Sequence, residues 1–184
     1  PQLEKIGYGA FSGCTNLKKF NSSAAETLNM PSSVKFIDCY AFYGTGFTEI
    51  FLGANIYYIG DVAFSNIAGL TNISVTGNST YFSSNGALYN SDGWLMQYPV
   101  GKDDTSFTIP SNVSNVAIRH ISQFAFMGEN NLDTINLGNV ITIDSHAFTG
   151  CTKLSGFDNG SNIEYVGPFA LDDTQIMLGT QDFI

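Results

Sequence analysis

The sequence predicts a single α/β solenoid domain, rich in β-strand, over residues 1–184, and three observations lead to this fold class. A motif that joins a branched aliphatic residue to an Ala-Phe pair recurs six times in one register. Successive pairs are 31, 22, 62, 22 and 23 residues apart, so a unit of 22 to 23 residues is stacked with two interruptions. Each unit also carries two strand-like segments. The motif occupies residues 6–11, 37–42, 59–64, 121–126, 143–148 and, in a worn copy, 166–171.

The two strand-like segments of a unit lie on either side of the Ala-Phe pair. The first follows the pair with the pattern apolar-x-x-apolar, and at 73–75 and 135–137 it continues with the alternation of a half-buried strand. The second, apolar-x-x-Ile or Val, leads into the next pair. First segments lie at 17–20, 47–50, 70–73, 132–135 and 154–157, and second segments at 34–37, 56–59, 140–143 and 163–166.

The residues around each Ala-Phe pair predict a corner of the coil. The stretch is too short for an isolated helix, so we expect a single helical turn there. Its Ala permits close approach of the neighbouring unit and its Phe fills the core. One unit alone would leave Ile, Phe and Leu facing water, so neighbouring units must stack to bury them.

The first interruption covers residues 21–30, which add about nine residues to the first unit. Either Phe20 or Leu28 can supply the strand in this region. The pattern favours Phe20.

The second interruption lies between Phe64 and Phe126, where one Ala-Phe corner is missing. In its place, residues 81–89 and 94–99 flank the turn Asn90-Ser91-Asp92-Gly93, which predicts a β-hairpin with an Asp-Gly turn. We therefore expect one inserted hairpin at about residues 76–104.

Three stretches carry a resemblance to a known family: Phe11 to Leu17, Phe148 to Leu154, and the Ile-Pro-Ser-Asn-Val step at 109–113. They resemble the BspA-like, Treponema-type leucine-rich repeats, in which Ala-Phe-x-x-Cys-x-x-Leu-x-x-Ile-x-Leu-Pro precedes an apolar-x-x-Ile-Gly segment. The Gly-Ala-Leu-Tyr hairpin at 86–89 is similar to a unit interleaved with these repeats. In the other copies, Thr45, Ile67, Glu129 and Thr174 replace the consensus Cys.

This resemblance implies a right-handed leucine-rich-repeat solenoid with a parallel sheet on its concave side. Members of the family are secreted or displayed on the surface of host-associated bacteria, with relatives on parasitic protists, and are linked to adhesion. Residue 1 already lies inside a repeat, so we expect the sequence to be a piece of a longer surface protein.

Outward-facing side chains of the first segments form the candidate binding site. Their third and fifth positions alternate with buried ones, so they should point out of the concave sheet. These candidates are Lys19, Glu49, Phe51, Asn72, Ser74, Ser106, Thr108, Thr134, Asn136 and Asp158, together with Asn21 and Gly156. Phe51 is either an interface anchor or covered by residues 21–30. Trp94 of the hairpin joins the set, with core packing as the alternative.

Charge and hydropathy argue against two classes of partner. The net charge is −9 and the seven Lys and Arg residues are scattered, which argues against nucleic acid. No apolar run reaches about 18 residues, so no membrane insertion is expected.

Reactive side chains are few. His120 and His146 are the only imidazoles and no catalytic motif accompanies them, so we expect no enzyme activity. The spacing of Cys, His and Asp suggests neither a metal site nor a cofactor. Cys14 and Cys151 share one repeat position, which favours small buried side chains over a disulfide.

These features predict a monomeric, extracellular or cell-surface module of the adhesion type. Its partner would be a protein or glycan on a host or neighbouring cell, held by a broad, rigid sheet face. The alternative is a structural spacer whose repeats hold another domain away from the cell surface.

Overall fold

The computed structural model describes residues 2–21 and 26–176. Eighteen strands of two to four residues and one 3-10 helix make up its regular structure. The strands are β1 Lys5–Ile6, β2 Lys19–Phe20, β3 Thr27–Asn29, β4 Phe36–Ile37, β5 Glu49–Leu52, β6 Tyr58–Ile59, β7 Asn72–Val75, β8 Tyr81–Ser84, β9 Ala87–Asn90, β10 Trp94–Gln97, β11 Ser106–Thr108, β12 Asn112–Val113, β13 Val116–Ala117, β14 His120–Ile121, β15 Thr134–Asn136, β16 Thr142–Ile143, β17 Gly156–Asp158 and β18 Tyr165–Val166, and the 3-10 helix is Gly160–Asn162.

Strands of successive units pair in parallel and give the coil two faces, which confirms the solenoid. The first segments form one face, here called the ladder face, with the sheets β2-β3-β5-β7 and β11-β15-β17. The second segments form the return face, with the sheets β1-β4-β6 and β18-β16-β14-β10-β9-β8. Register follows the repeat, so that Ile50 lies beside Ile73 and Ile37 beside Ile59.

The Ala-Phe corners are runs of turns rather than single helical turns. The N–H of Ala41 donates to the carbonyl of Asp38 in its own corner at 3.2 Å, whereas the N–H of Phe42 donates to Ala63 of the next unit at 2.9 Å. Alternate N–H groups thus bond within a corner and between corners. In an α-helix every one of these N–H groups would donate within its own corner, and the carbonyls of the next corner would lose these donors.

The residue before each Ala has a left-handed backbone. Its φ lies between 56° and 63° in all six corners, at Gly9, Tyr40, Val62, Phe124, His146 and Phe169. This conformation costs a residue with a Cβ about 1 to 2 kcal/mol. The hydrogen bonds between corners hold it in place.

The Phe side chains of the corners form a stacked column in the core, as predicted. The ring of Phe42 lies 5.3 Å from that of Phe11 and 5.8 Å from that of Phe64. Phe126 and Phe148 stack at 4.8 Å, and both are fully buried.

The second interruption contains a three-stranded meander, so the prediction of one hairpin is corrected. A turn at Asn85-Gly86, where both residues have positive φ, splits the expected first strand into β8 and β9. The strand β10 then pairs antiparallel with β9 and parallel with β14. This unit joins the return face and separates the hydrophobic core into two clusters.

Tyr98 takes the place of the missing Phe. Its ring stacks on Phe126 at 4.9 Å, and its N–H donates to the carbonyl of Ala125 at 2.8 Å, as a corner Phe would. Beside it, the buried amide of Gln97 accepts from Ser65 at 2.6 Å and donates to Ala125 at 3.1 Å. A side chain therefore connects the two halves of the coil where the backbone ladder between corners is interrupted.

The first interruption adds a strand instead of forcing a choice between Phe20 and Leu28. Both residues lie on strands, and β2 and β3 pair in parallel with Phe20 beside Leu28. The preference for Phe20 alone was wrong, because the extra residues supply a further rung to the ladder face. Residues 22–25 lie outside the described residues.

The shared cysteine position is buried where a repeat packs on both sides. Cys151 is 2% exposed, and Thr45, Ile67 and Glu129 at the same position are also buried. Cys14 is exposed, so the prediction was right for Cys151 and wrong for Cys14. Cys14 lies in the first of the described units, and within the described residues a neighbouring unit packs on one side of it.

Candidate binding surface

The four-stranded sheet of the ladder face aligns five of the candidate residues. Lys19, Glu49 and Asn72 lie in one row, with Thr27 of β3 between Lys19 and Glu49. Phe51 and Ser74 lie side by side in a second row. Alternation along each strand places these residues opposite the buried ones.

The three-stranded sheet aligns five more candidates in two rows of its own. Ser106 and Thr134 share one row with Gly156, and Thr108, Asn136 and Asp158 share the other. The side chains that separate these rows point into the core and include Phe107 and Ile135. Eleven of the thirteen predicted residues, Gly156 included, therefore lie in regular rows on these two sheets, and Asn21 directly follows β2.

The ladder face offers mostly hydroxyl and amide groups. Asn72 donates to Ser74 of the same strand at 2.9 Å, and Asn159 donates to Asn136 of the preceding unit at 3.0 Å, so hydrogen bonds within and between rungs orient these polar groups. Phe51 is the large apolar member and keeps 38% of its surface exposed beside Asn29 of β3. Such a face can recognise a partner by shape and hydrogen bonding.

A cleft of about 430 Å³ separates the two sheets of the ladder face. Asn72 lies on one side of it, Ser106 and Thr108 on the other, and the Asn85-Gly86 turn enters between them. Lys102 and Asp104 also line the cleft and form an ion pair at 2.7 Å. The predicted continuous ladder is thus two blocks joined by a polar cleft.

Trp94 does not lie with the other candidates. It belongs to β10 on the return face, where its half-buried ring stacks on His120 at 4.6 Å. Register on that face aligns Lys5, Phe36 and Tyr58 in one row and Trp94, His120, Thr142 and Tyr165 in another. In the sequence, each of these residues directly precedes an aliphatic residue, Ile, Leu or Val, and this position is the sequence signal for the two rows.

The potentially reactive side chains are engaged in packing. His146 stacks between Phe124 and Phe169, and its Nδ1 lies 3.2 Å from the Thr149 hydroxyl. Burial raises the pKa of the Cys151 thiol to about 12, which keeps it protonated at neutral pH. Within the described residues, no group of three or more His, Cys, Asp or Glu could hold a metal ion.

No helix in the described part of the chain has the length and apolar character needed to cross a bilayer.

Solved structures of three bacterial proteins are similar to this chain. A leucine-rich repeat protein from Eubacterium ventriosum is 20% identical, with a TM-score of 0.65 over 89% of this chain and 53% of the other. A leucine rich cell surface protein from Faecalibacterium prausnitzii is 23% identical, with a TM-score of 0.66 over 88% and 52%. The pneumococcal vaccine antigen PcpA is 16% identical, with a TM-score of 0.51 over 95% and 66%.

At these identities the likeness shows the fold. The chain spans about half the length of the first two proteins. A comparison with curated proteins found no match.

A family model settles the relationship. The description "BspA type Leucine rich repeat region" matches residues 1–93 and 104–178 with six copies. The unmatched stretch, 94–103, contains β10 and Tyr98, where the structure lacks an Ala-Phe corner. The chain therefore belongs to the BspA type leucine-rich repeat family.

Proposed function

We propose that this chain is a cell-surface module of the adhesion type that binds a partner protein through the ladder face. The observation that carries the proposal is the regular arrangement of exposed and half-buried, mostly neutral polar side chains on the sheet that carries the exposed Phe51. A rigid face of this kind presents many hydrogen-bonding groups at fixed spacing, and an exposed aromatic ring can serve as an anchor.

The surface location is supported by family membership and by one similar structure, which is named as a cell surface protein. The chemistry of the described residues is consistent with recognition. Neither His120 nor His146 shows a hydrogen bond to a carboxylate there, and the Cys151 thiol is buried. The same architecture would also serve a spacer, whose repeats bind nothing, so the experiment must separate the two.

A pull-down against immobilised extracellular-matrix proteins tests the proposal. One variant replaces Glu49, Phe51 and Asn72 by Ala, which removes the centre of the ladder face. We expect it to lose most of the captured protein, because truncation of a central aromatic anchor typically costs 2 kcal/mol or more, about thirtyfold in affinity.

A matched control replaces Asn162, Glu164 and Phe169 by Ala. These residues have the same types and are all exposed, but none lies on the ladder face. The control should bind like the wild type. Equal binding by the two variants would remove the ladder face as the site, and no binding by the wild type would favour the spacer.

A further inference from the structure

The return face carries a notch of about 350 Å³ at the missing Ala-Phe corner. Tyr58 and Asp61 line it from the unit before the interruption, and Ser122 and Asp144 line it from the units after. Residues of the meander, including Trp94, lie between them. Every other interval between successive corners is closed by hydrogen bonds from one corner to the next, so the notch is a direct consequence of the omitted corner.

Aromatic rings give the notch its apolar surface. Tyr58 keeps 44% of its surface exposed. Trp94 is half-buried, and its stacking on His120 at 4.6 Å, with ring planes 26° apart, fixes its orientation. Tyr81 also lines the notch and is held by a 2.8 Å hydrogen bond from the N–H of Ile59 to its hydroxyl. These contacts pre-organise the rings, which lowers the entropy cost of binding.

Three carboxylates surround the same notch. Asp61, Asp92 and Asp144 line it, and in the described part of the chain none of them forms an ion pair. Burial raises the pKa of Tyr81 and Tyr58, and the negative charges of Asp92 and Asp61, respectively, raise it further. Asp61 and Asp92 therefore act electrostatically on tyrosine side chains of the notch.

We propose that this notch binds a lysine or arginine side chain from a basic segment of a partner protein. A cation over the faces of Trp and Tyr is attracted by the ring electrons, and the attraction increases when water is displaced. The three carboxylates complement its charge and speed the encounter. The volume lies at the lower end of the range for small-ligand sites, which suits one or two side chains.

Charge decides between this ligand and a neutral sugar. A sugar could stack on Tyr58 or Trp94 and bond to one or two carboxylates. It would bring no positive charge to offset three of them. This site lies on the face opposite the ladder face, so it does not depend on the function proposed above.

Trp94 provides the test, because it is the only tryptophan of the chain and lies in the notch. Its fluorescence would be followed during titration with a hexa-arginine peptide, with an uncharged Gly-Ser hexapeptide and with maltohexaose, a neutral sugar. We expect a saturable change with hexa-arginine alone. A response to maltohexaose without one to hexa-arginine would overturn the proposal in favour of a sugar site.

Two pairs of variants separate the notch from general charge attraction. Asp61→Asn with Asp92→Asn should weaken hexa-arginine binding about tenfold, since each charge pair with an exposed carboxylate is worth up to about 1 kcal/mol. Asp103→Asn with Asp133→Asn removes the same charge from exposed positions outside the notch and should change affinity by less than about twofold. Equal losses in the two double variants would show that binding follows net charge, which would overturn the proposal.

The aromatic contribution has its own control. Tyr58→Ala should weaken binding several-fold by removing one aromatic wall. Tyr57→Ala removes the adjacent tyrosine, which is 72% exposed and does not line the notch, and should leave affinity unchanged. Identical behaviour of these two variants would also count against the site.

Discussion

Replacement of Gln97 by Leu tests whether one side chain holds the two halves of the coil together. Gln97 is 3% exposed. Its amide accepts from the Ser65 hydroxyl at 2.6 Å and donates to the carbonyls of Tyr98 at 2.9 Å and Ala125 at 3.1 Å. Leu has a similar volume, so the change removes hydrogen bonds while it keeps most of the packing.

The expected loss follows from the groups left behind. The Ala125 carbonyl keeps the N–H of Tyr98 at 2.8 Å. The Ser65 hydroxyl loses its acceptor, and the Tyr98 carbonyl loses the amide donor. A buried polar group without a partner costs about 1 to 3 kcal/mol, so Gln97→Leu should lower the free energy of unfolding by about 2 to 6 kcal/mol.

Urea unfolding followed by circular dichroism and by Trp94 fluorescence measures this loss, and agreement of the two probes tests for a single transition. The double variant Ser65→Ala with Gln97→Leu also removes the hydroxyl that would otherwise lack an acceptor, so it should recover about 1 to 3 kcal/mol of the lost free energy of unfolding. Gln123→Leu, at a half-buried position nearby, is the control. A Gln97→Leu protein within about 0.5 kcal/mol of the wild type, the usual range of surface changes, would refute the reasoning.

Three further predictions concern single repeat positions. Phe126→Ala should lower the free energy of unfolding by about 3 to 5 kcal/mol, whereas Phe11→Ala, half-buried at the same motif position, should cost less than half as much in urea unfolding. Gly60→Ala should lower the melting temperature, because the added Cβ would lie 2.9 Å from the carbonyl carbon of Asp38 in the preceding unit. The Cβ added by Gly7→Ala would meet nothing within 4 Å, so this control should leave the melting temperature unchanged. Burial raises the pKa of the Glu129 carboxyl above its ordinary value. The protonated carboxyl therefore contributes its full stabilisation at pH values below the pKa that Glu129 has in the unfolded chain, and this stabilisation is lost as pH rises through the pKa in the folded protein. Glu129→Gln should therefore gain in melting temperature relative to the wild type between about pH 4 and pH 7, and a constant difference would contradict this.

The repeat architecture could be predicted because its contacts recur at fixed spacing. An Ala-Phe pair between two neighbouring units has similar surroundings in each case, so Phe42 and Phe148 are both fully buried although 106 residues separate them. Alternation along the first segments also placed Ser74 and Asn136 correctly on the ladder face. Their role in binding stays a prediction.

The corner geometry could not be predicted from residue preference. A left-handed backbone favours Gly, yet Val62, a branched residue, adopts φ of 63°. Hydrogen bonds from the neighbouring corners override the local preference there, and only Gly9 gave a sequence sign of it. The Asn85-Gly86 turn, by contrast, has the strongest short-range signal for a two-residue hairpin and was available in the sequence.

The position of Trp94 was missed for a different reason. The parallel pairing of β10 with β14 makes the meander part of the return face and places Trp94 beside His120. The sequence pattern alone does not show this pairing. Tyr98 replaces the Phe in the ring stack, but no Ala-Phe motif surrounds it, so the sequence pattern did not identify this position.

The interruption of the repeat explains where specific chemistry can arise in this molecule. In a regular unit, the N–H groups of one corner donate to the carbonyls of the next corner, as from Phe42 to Ala63, so few backbone groups remain free to bind a ligand. Omission of one corner makes the chain supply a buried amide from Gln97 on the inside and leaves the notch beside Trp94 on the outside. Asp61 and Asp92 are exposed, so their replacement should change recognition at the notch without disturbing the stack, whereas replacement of the buried Gln97 should weaken the contact between the two halves.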